Sequence, residues 1–261
     1  MLPTHEKIEE EDVPNYRAEK FYPFNEALST DLSPNNILLG TDDDPTAVTK
    51  VELAELQNPS PRKILPDGRV VHRSYTMPIT YGAPVISDFG AARLGEPGQK
   101  HTGDVMPGPY RAPEVVLGMQ WDSKIDIWAV GVMIWDLFQG HRLFRAVNSQ
   151  GHLDDELHLA EMVALMGPPP KEFLRRISGD RSRRYWDSEG NWIAATPIPE
   201  QTLETREMRH AVGSREKQLL LALARKILRW LPEDRPTAED LFEDEYLSLS
   251  LPVSGPEAGA V

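Results

Sequence analysis

Asp31-Leu-Ser-Pro-Asn-Asn-Ile-Leu-Leu-Gly40 and Pro84-Val-Ile-Ser-Asp-Phe-Gly90 decide the fold. In the first, a polar loop closes into a short apolar strand that ends at Gly40 and the acidic turn TDDDP. In the second, the expectation is another short strand, buried, running into a flexible glycine. From there to Gly108 the text is rich in glycine and proline, which predicts a mobile segment. Between the two, residues 41–83 carry the turn signals NPSPRK and LPDGR and few apolar positions, and read as an inserted, partly ordered loop.

Beyond Pro113 the texture becomes helical. KIDIWAVGVMIWDLFQG is apolar on nearly every face, which predicts a helix surrounded by protein and stopped by Gly140. LHLAEMVALMG predicts a second helix, ended by GPPP. In REKQLLLALARKILRW, Leu220, Leu223, Ala224, Ile227 and Leu228 share one helical side. PTAEDLFEDEYL places Pro236 in a first-turn position, with acids close behind. Residues 1–28 read as an irregular acidic leader whose YRAEKFYPF offers one short aromatic stretch, and 248–261 as a disordered tail.

Composition narrows the function classes. The net charge of −13 argues against nonspecific nucleic-acid or anionic-membrane binding and suits cationic partners or plain solubility. With no cysteine there is no disulfide framework, thiolate nucleophile or Cys-ligated metal, and the expected address is the cytoplasm or nucleus. The acidic start lacks the apolar core of a signal peptide, and no apolar run approaches the ~18 residues that span a bilayer.

Read singly, the polar residues have bland explanations. Asp31 and Asn36 are turn-capping types, Asp88 precedes Phe89 and Gly90 as a surface turn residue would, Asp126 is an ordinary helix-start acid, and Arg235 could be solvated. Their order is what carries information: DLSPNN, then strand-DFG, then YRAPE with Glu114, then a buried helix opening with Asp126, then LPEDRPTAEDL with Arg235. That series resembles the large lobe of eukaryotic serine/threonine protein kinases. ISDFGAARLG, HTGDVMPGPYRAPEVVLG, LHLAEMVALMGPPP, RYWDSEGNW and ILRWLPEDRPTAEDL together resemble the fungal branch of the serine/arginine-protein kinases, over most of residues 29–247.

The resemblance implies an α+β, mainly α fold. Residues 29–40 would be the catalytic loop, 41–83 an insertion, 88–114 the activation segment and 119–247 the helical subdomain. It implies ATP and Mg2+ as cofactors, with Asp31 accepting or orienting the proton of a substrate hydroxyl and Asn36 and Asp88 holding magnesium through hard oxygen atoms. Glu114 and Arg235 would form a buried ion pair, and Asp126 would brace the catalytic-loop backbone. Phe89 and Gly90 complete the DFG triplet as structural members. The implied partners are protein substrates, among them Arg/Ser-rich splicing factors, which an acidic lobe suits.

Departures from the pattern shape a second expectation. The chain has no G-x-G-x-x-G and no room before Asp31 for a small lobe, so the reading is a large lobe with its N-terminal lobe excised. Ser29 and Thr30 precede Asp31 where the family has a histidine and then an arginine or threonine. Ser33 replaces a lysine and Pro107 a threonine, and Thr102 is the one Ser or Thr between Asp88 and Glu114. The family's acidic docking positions fall on Leu157 and Ala164, with Asp154, Asp155, Glu156 and Glu161 close by. Loss of the helix that should cover 124–139 predicts poor solubility alone, or a need for a chaperone or complementing partner. The alternatives are a catalytically inactive, pseudokinase-like binding module and an inactive fragment.

Overall fold

The computed structural model describes residues 27–28, 32–40, 46–73, 84–94, 98–178 and 181–249. The leader to residue 26, Asp31 and the tail beyond Leu249 lie outside the described residues. Two compact units emerge, Asn35–Ser87 and the remainder of the chain.

In chain order the elements are strands β1 (Ala27–Leu28) and β2 (Ile37–Leu39), helix α1 (Thr46–Gln57), and strands β3 (Arg62–Ile64), β4 (Val70–His72), β5 (Pro84–Ile86) and β6 (Arg93–Leu94). Among the described residues nine runs then form α-helices: α2 (Pro113–Val116), α3 (Lys124–Gln139), α4 (Asp155–Met166), α5 (Lys171–Arg176), α6 (Arg181–Tyr185), α7 (Leu203–Arg206), α8 (Arg215–Ile227), α9 (Ala238–Phe242) and α10 (Glu245–Leu249), with a 3-10 turn at Gly108–Tyr110 before the first of them. None is long and apolar enough to cross a membrane. The predicted balance of a mainly α, α+β chain is what these elements make.

In the smaller unit β2 and β5 form an antiparallel ribbon with Ile37 opposite Ile86 and Leu39 opposite Pro84. The ribbon was expected to be buried, and it is not: Leu38, Leu39, Val85 and Ile86 are all about half exposed. Two strands of three residues cannot cover each other's faces, and among the described residues no third strand joins this sheet. The connection 41–83 is also more ordered than its composition suggests. TAVTKVELAELQ forms α1, and the LPDGR turn closes the β3–β4 hairpin. Gly68 supplies the positive φ (82°) that this turn needs, and Asp67 accepts bonds from the backbone and side chain of Arg69. Helix α1 escaped notice because its valines and leucines do not gather on one face. It is built on helix-forming Ala, Glu, Leu and Gln, and it lies largely exposed.

The larger unit holds the core around α3. Its N-terminal residues include Asp126 in the first turn, and Gly140 (φ 73°) ends it by donating its N–H to the Asp136 carbonyl. Ile125, Trp128, Ala129, Val132 and Trp135 are buried on one side. On the other, Ile127, Val130, Ile134 and Phe138 pack against Leu220, Leu223, Ile227, Leu241 and Tyr246 of α8, α9 and α10. Gly131 makes the close crossing with α8 possible, since a Cβ there would lie 2.5 Å from the Ile227 Cγ2. The helix thus finds cover within the described chain, and among its large apolar residues Leu137 alone is strongly exposed. The apolar surface expected to be bared by a missing neighbour is mostly covered.

Helix boundaries differ from expectation where capping side chains set them. Asp154 accepts the Leu157 N–H at 3.0 Å, so α4 begins at Asp155 rather than at Leu157. Thr237 and Asp240 form a reciprocal capping box, which starts α9 at Ala238 and leaves Pro236 outside the helix rather than in its first turn. The face predicted for this stretch is buried at Leu220, Leu223, Ala224 and Ile227 of α8 and at Leu228 just beyond its end.

Candidate functional site

The β2–β5 register determines where the polar motif residues of the smaller unit fall. The backbone N–H of Ser87 donates to the Asn36 carbonyl at 2.8 Å and the Ser87 hydroxyl to the same oxygen at 3.1 Å. Asn36 therefore stands opposite Ser87, whose next residue in the chain is Asp88. Asp88, in the larger unit, takes a left-handed conformation (φ 59°, ψ 68°) that only short polar side chains and glycine adopt readily. Its carboxylate accepts the Gly90 N–H at 3.3 Å, capping the 3-10 turn Phe89–Ala91. The carboxylate of Asp88 and the ring of Phe89 are both exposed. Asp31 lies outside the described residues, while Leu32 and Ser33 directly after it are buried. Among the described residues, no three His, Asp or Glu side chains cluster as a metal site of their own.

Glu114 and Arg235, 121 positions apart, do meet. Arg235 donates to both carboxylate oxygens, at 2.6 and 2.7 Å, and both side chains are at most 1% exposed. The remaining guanidinium hydrogens reach the Arg229 carbonyl (3.1 Å) and the Lys124 carbonyl (2.9 Å), and the cation lies 5.2 Å from the Trp128 ring. Every charge in this buried pair is thus answered, which is the condition for an internal ion pair to be tolerated.

Two further anchors hold the same YRAPE segment and were not read from the sequence. The Tyr110 hydroxyl donates to Asp136 at 2.9 Å, and Arg111 pairs with Asp155 at 2.5 Å. Burial, then the neighbouring Asp136 charge, pushes the Tyr110 phenol up, so it stays a donor. Burial likewise raises the Asp136 carboxyl against the bonds it accepts from Leu143 and Tyr110. The signal for Asp136 was available: an acid late in a largely apolar helix asks for a partner. With Glu114, these contacts pin residues 110–114 to α3, α4 and the α8–α9 connection.

The four acids near α4 are already engaged. Asp154 caps the helix, Asp155 holds Arg111, Glu156 accepts the Thr196 N–H at 2.7 Å, and Glu161 is buried and accepts from Arg145 and Ala146. They form structural bonds rather than an open acidic groove.

Comparison with known proteins settles the family. The model for the protein kinase domain matches residues 27–247. The chain belongs to the protein kinase family. An Aspergillus fumigatus serine/threonine protein kinase is 43% identical over 201 residues, which cover 75% of this chain and 49% of the relative. A dual specificity protein kinase of Schizosaccharomyces pombe is 32% identical over 82% of this chain and 28% of its own length. A Physarum polycephalum kinase named SRPK is 31% identical over 62% and 38%. A crystal structure of a kinase domain superposes with a TM-score of 0.60 at 24% identity, over 88% of this chain and 62% of that one, and so agrees in fold. The kinase chain spans about half the length of the Aspergillus relative it matches, and less of the others.

Proposed function

We propose that this kinase chain transfers the γ-phosphoryl group of ATP to serine or threonine of protein substrates, and that those substrates are Arg/Ser-rich. What supports the reading most is the β2–β5 register, which sets Asn36 opposite the residue preceding Asp88. An amide oxygen and an exposed carboxylate are hard ligands of the kind Mg2+ takes, and the Asp88 carboxylate accepts a backbone bond from Gly90 through one of its oxygens. Asn36 and Asp88 would hold the ion, and Asp31 would orient the attacking hydroxyl. Bound Mg-ATP supplies the phosphoryl group and screens its charge. The chain's own contribution is to position the ligands and to hold the YRAPE segment in place.

The glycine-rich loop and its lysine would then belong to polypeptide outside these 261 residues, since the sequence contains no G-x-G-x-x-G. A complementing chain, or further coding sequence of the same gene, is the partner this requires. The substrate class rests on the likeness to the kinase named SRPK and on the net charge of −13. A cytoplasmic or nuclear site of action fits a chain with no cysteine to protect. The test is phosphoryl transfer from labelled ATP to an Arg/Ser peptide, with and without a relative's small lobe added in trans. Transfer that disappears in Asp31→Asn supports the proposal. No transfer in either arm leaves the noncatalytic binding module as the better account.

A further inference from the structure

The connection 41–83 carries a hairpin whose charge is opposite in sign to that of the chain. Strands β3 and β4 pair antiparallel, with Arg62 opposite His72, Lys63 opposite Val71 and Ile64 opposite Val70. From Pro61 to Arg73 the sequence has four cations, Arg62, Lys63, Arg69 and Arg73, against one acid, Asp67, on a chain whose net charge is −13. Asp67 is taken up by Arg69 at 2.7 Å. Arg62, Lys63 and Arg73 are exposed and make no ion pair among the described residues. Beside them Ile64, Val70 and Val71 are 46–68% exposed. The ladder also leaves main-chain groups over. The Arg73 N–H donates to the Pro61 carbonyl (2.9 Å) and the Leu65 N–H to the Arg69 carbonyl (2.8 Å), which fixes the phase of the pairing. Every second residue of an antiparallel pair bonds across, so Lys63 and Val71 bond to each other, and the N–H and C=O groups of Arg62 and Ile64 point out of the hairpin along the free side of β3. Among the described residues no third strand receives them.

We propose that this edge of β3 takes up, as a third strand, an acidic segment of a partner protein, with carboxylates facing Arg62 and Lys63 and an apolar side chain facing Ile64. Main-chain bonds from Arg62 and Ile64, two residues apart, would hold the added strand, and the side chains would choose it. Directly opposed residues of neighbouring strands attract when their charges differ and repel when they match. That rule selects the occupant. A second copy of β3 would bring its own cations against these, so the edge resists pairing with itself, whereas an acidic strand finds both a ladder and counter-charges. A polynucleotide would meet the cations, but it gains nothing from exposed Ile64, Val70 and Val71, and residues 61–73 include no Phe, Tyr or Trp on which a base could stack. None of these residues takes part in the proposed phosphoryl transfer.

The experiment uses the full chain and a fluorescein-labelled, end-capped Thr-Val-Glu-Glu-Val-Thr peptide, followed by anisotropy at low ionic strength. Saturable binding is expected, weakened by added salt and at least about tenfold weaker when Arg62→Glu and Lys63→Glu are combined, because two attractions become repulsions. Combining Arg62→Gln with Lys63→Gln, which adds no repulsion within the hairpin, should still weaken it several-fold. Ile64→Pro removes one outward N–H and no charge. Proline is tolerated on an edge strand where its missing N–H would face solvent, so the β3–β4 pairing survives while the added strand loses a bond, and binding should again fall about tenfold. The proposal is overturned by absence of saturable binding, by equal binding of the Thr-Val-Gln-Gln-Val-Thr peptide, by indifference to both charge variants, or by indifference to Ile64→Pro. It is equally overturned if a single-stranded oligouridylate binds more tightly with the same variant sensitivity, or if the chain self-associates in a way that the charge reversal abolishes.

Discussion

Cutting the Glu114–Arg235 pair from either side should have unequal and non-additive costs. In Arg235→Ala the Glu114 carboxylate, 1% exposed, loses both donors, the Arg229 and Lys124 carbonyls lose theirs, and the Trp128 face is left beside a void. In Glu114→Ala the guanidinium keeps those carbonyls and the ring. Breaking a buried pair from one side costs about 3–5 kcal/mol, so Arg235→Ala belongs at about 5 and Glu114→Ala at about 3. The double variant leaves no lone charge and should cost about 5, giving a coupling of about 3 kcal/mol against additivity. Because a domain holds only about 5–15 kcal/mol, Arg235→Lys, which keeps the charge but not the two-point contact, provides a milder third variant. All six tryptophans lie between residues 121 and 230, so tryptophan fluorescence in urea reads the larger unit directly. Single variants costing under about 1 kcal/mol, or costs that simply add, would refute the reasoning.

Gly131→Ala should destabilise the larger unit by about 1–3 kcal/mol, since its new Cβ would press on the Ile227 side chain; a melt as stable as the parent's counts against the close crossing. For Glu207, burial works against ionisation, but bonds from His210 and Arg209 backbone, Lys217 and Gln139 outweigh it and bring the carboxyl down to about 2. A depressed folded value stabilises above the unfolded carboxyl value and is lost on acidification, so stability should fall as pH drops from about 4.5 towards 2, and Glu207→Gln should flatten that slope. An unaltered acid limb in that variant would remove Glu207 from the account. Thr237→Ala should cost about 1 kcal/mol by uncapping α9, measurable as a small loss of urea midpoint, whereas substitution of Pro236 should leave the cap intact.

The sequence was most legible where one physical requirement dominates. An all-apolar run followed by glycine could be little else than α3, and the leucine spacing of α8 marked its buried face correctly. The strands of the β2–β5 ribbon were legible as elements, but their exposure was not, because apolar text says what would like to be buried and not what covers it. Helix α1 hid behind the opposite problem: its stability comes from intrinsic propensity, with no amphipathic stripe to reveal it. The acids around α4 illustrate a third limit. Their charge is visible in the text, but their use as caps and internal partners depends on chain neighbours such as Thr196 and Arg111 that only the fold brings near. Of the candidate ligands, Asn36 and Asp88 have described surroundings, and Asp31 lies outside the described residues.

Nucleotide binding tests the proposed chemistry most directly. Thermal melting of the full chain with Mg-ATP should show a saturable upward shift that vanishes in Asp88→Ala and when EDTA replaces the metal, since a ligand that binds only the folded state must stabilise it. A shift that persists unchanged in Asp88→Ala, or one that does not need the metal, would contradict the assignment of Asp88 as a magnesium ligand.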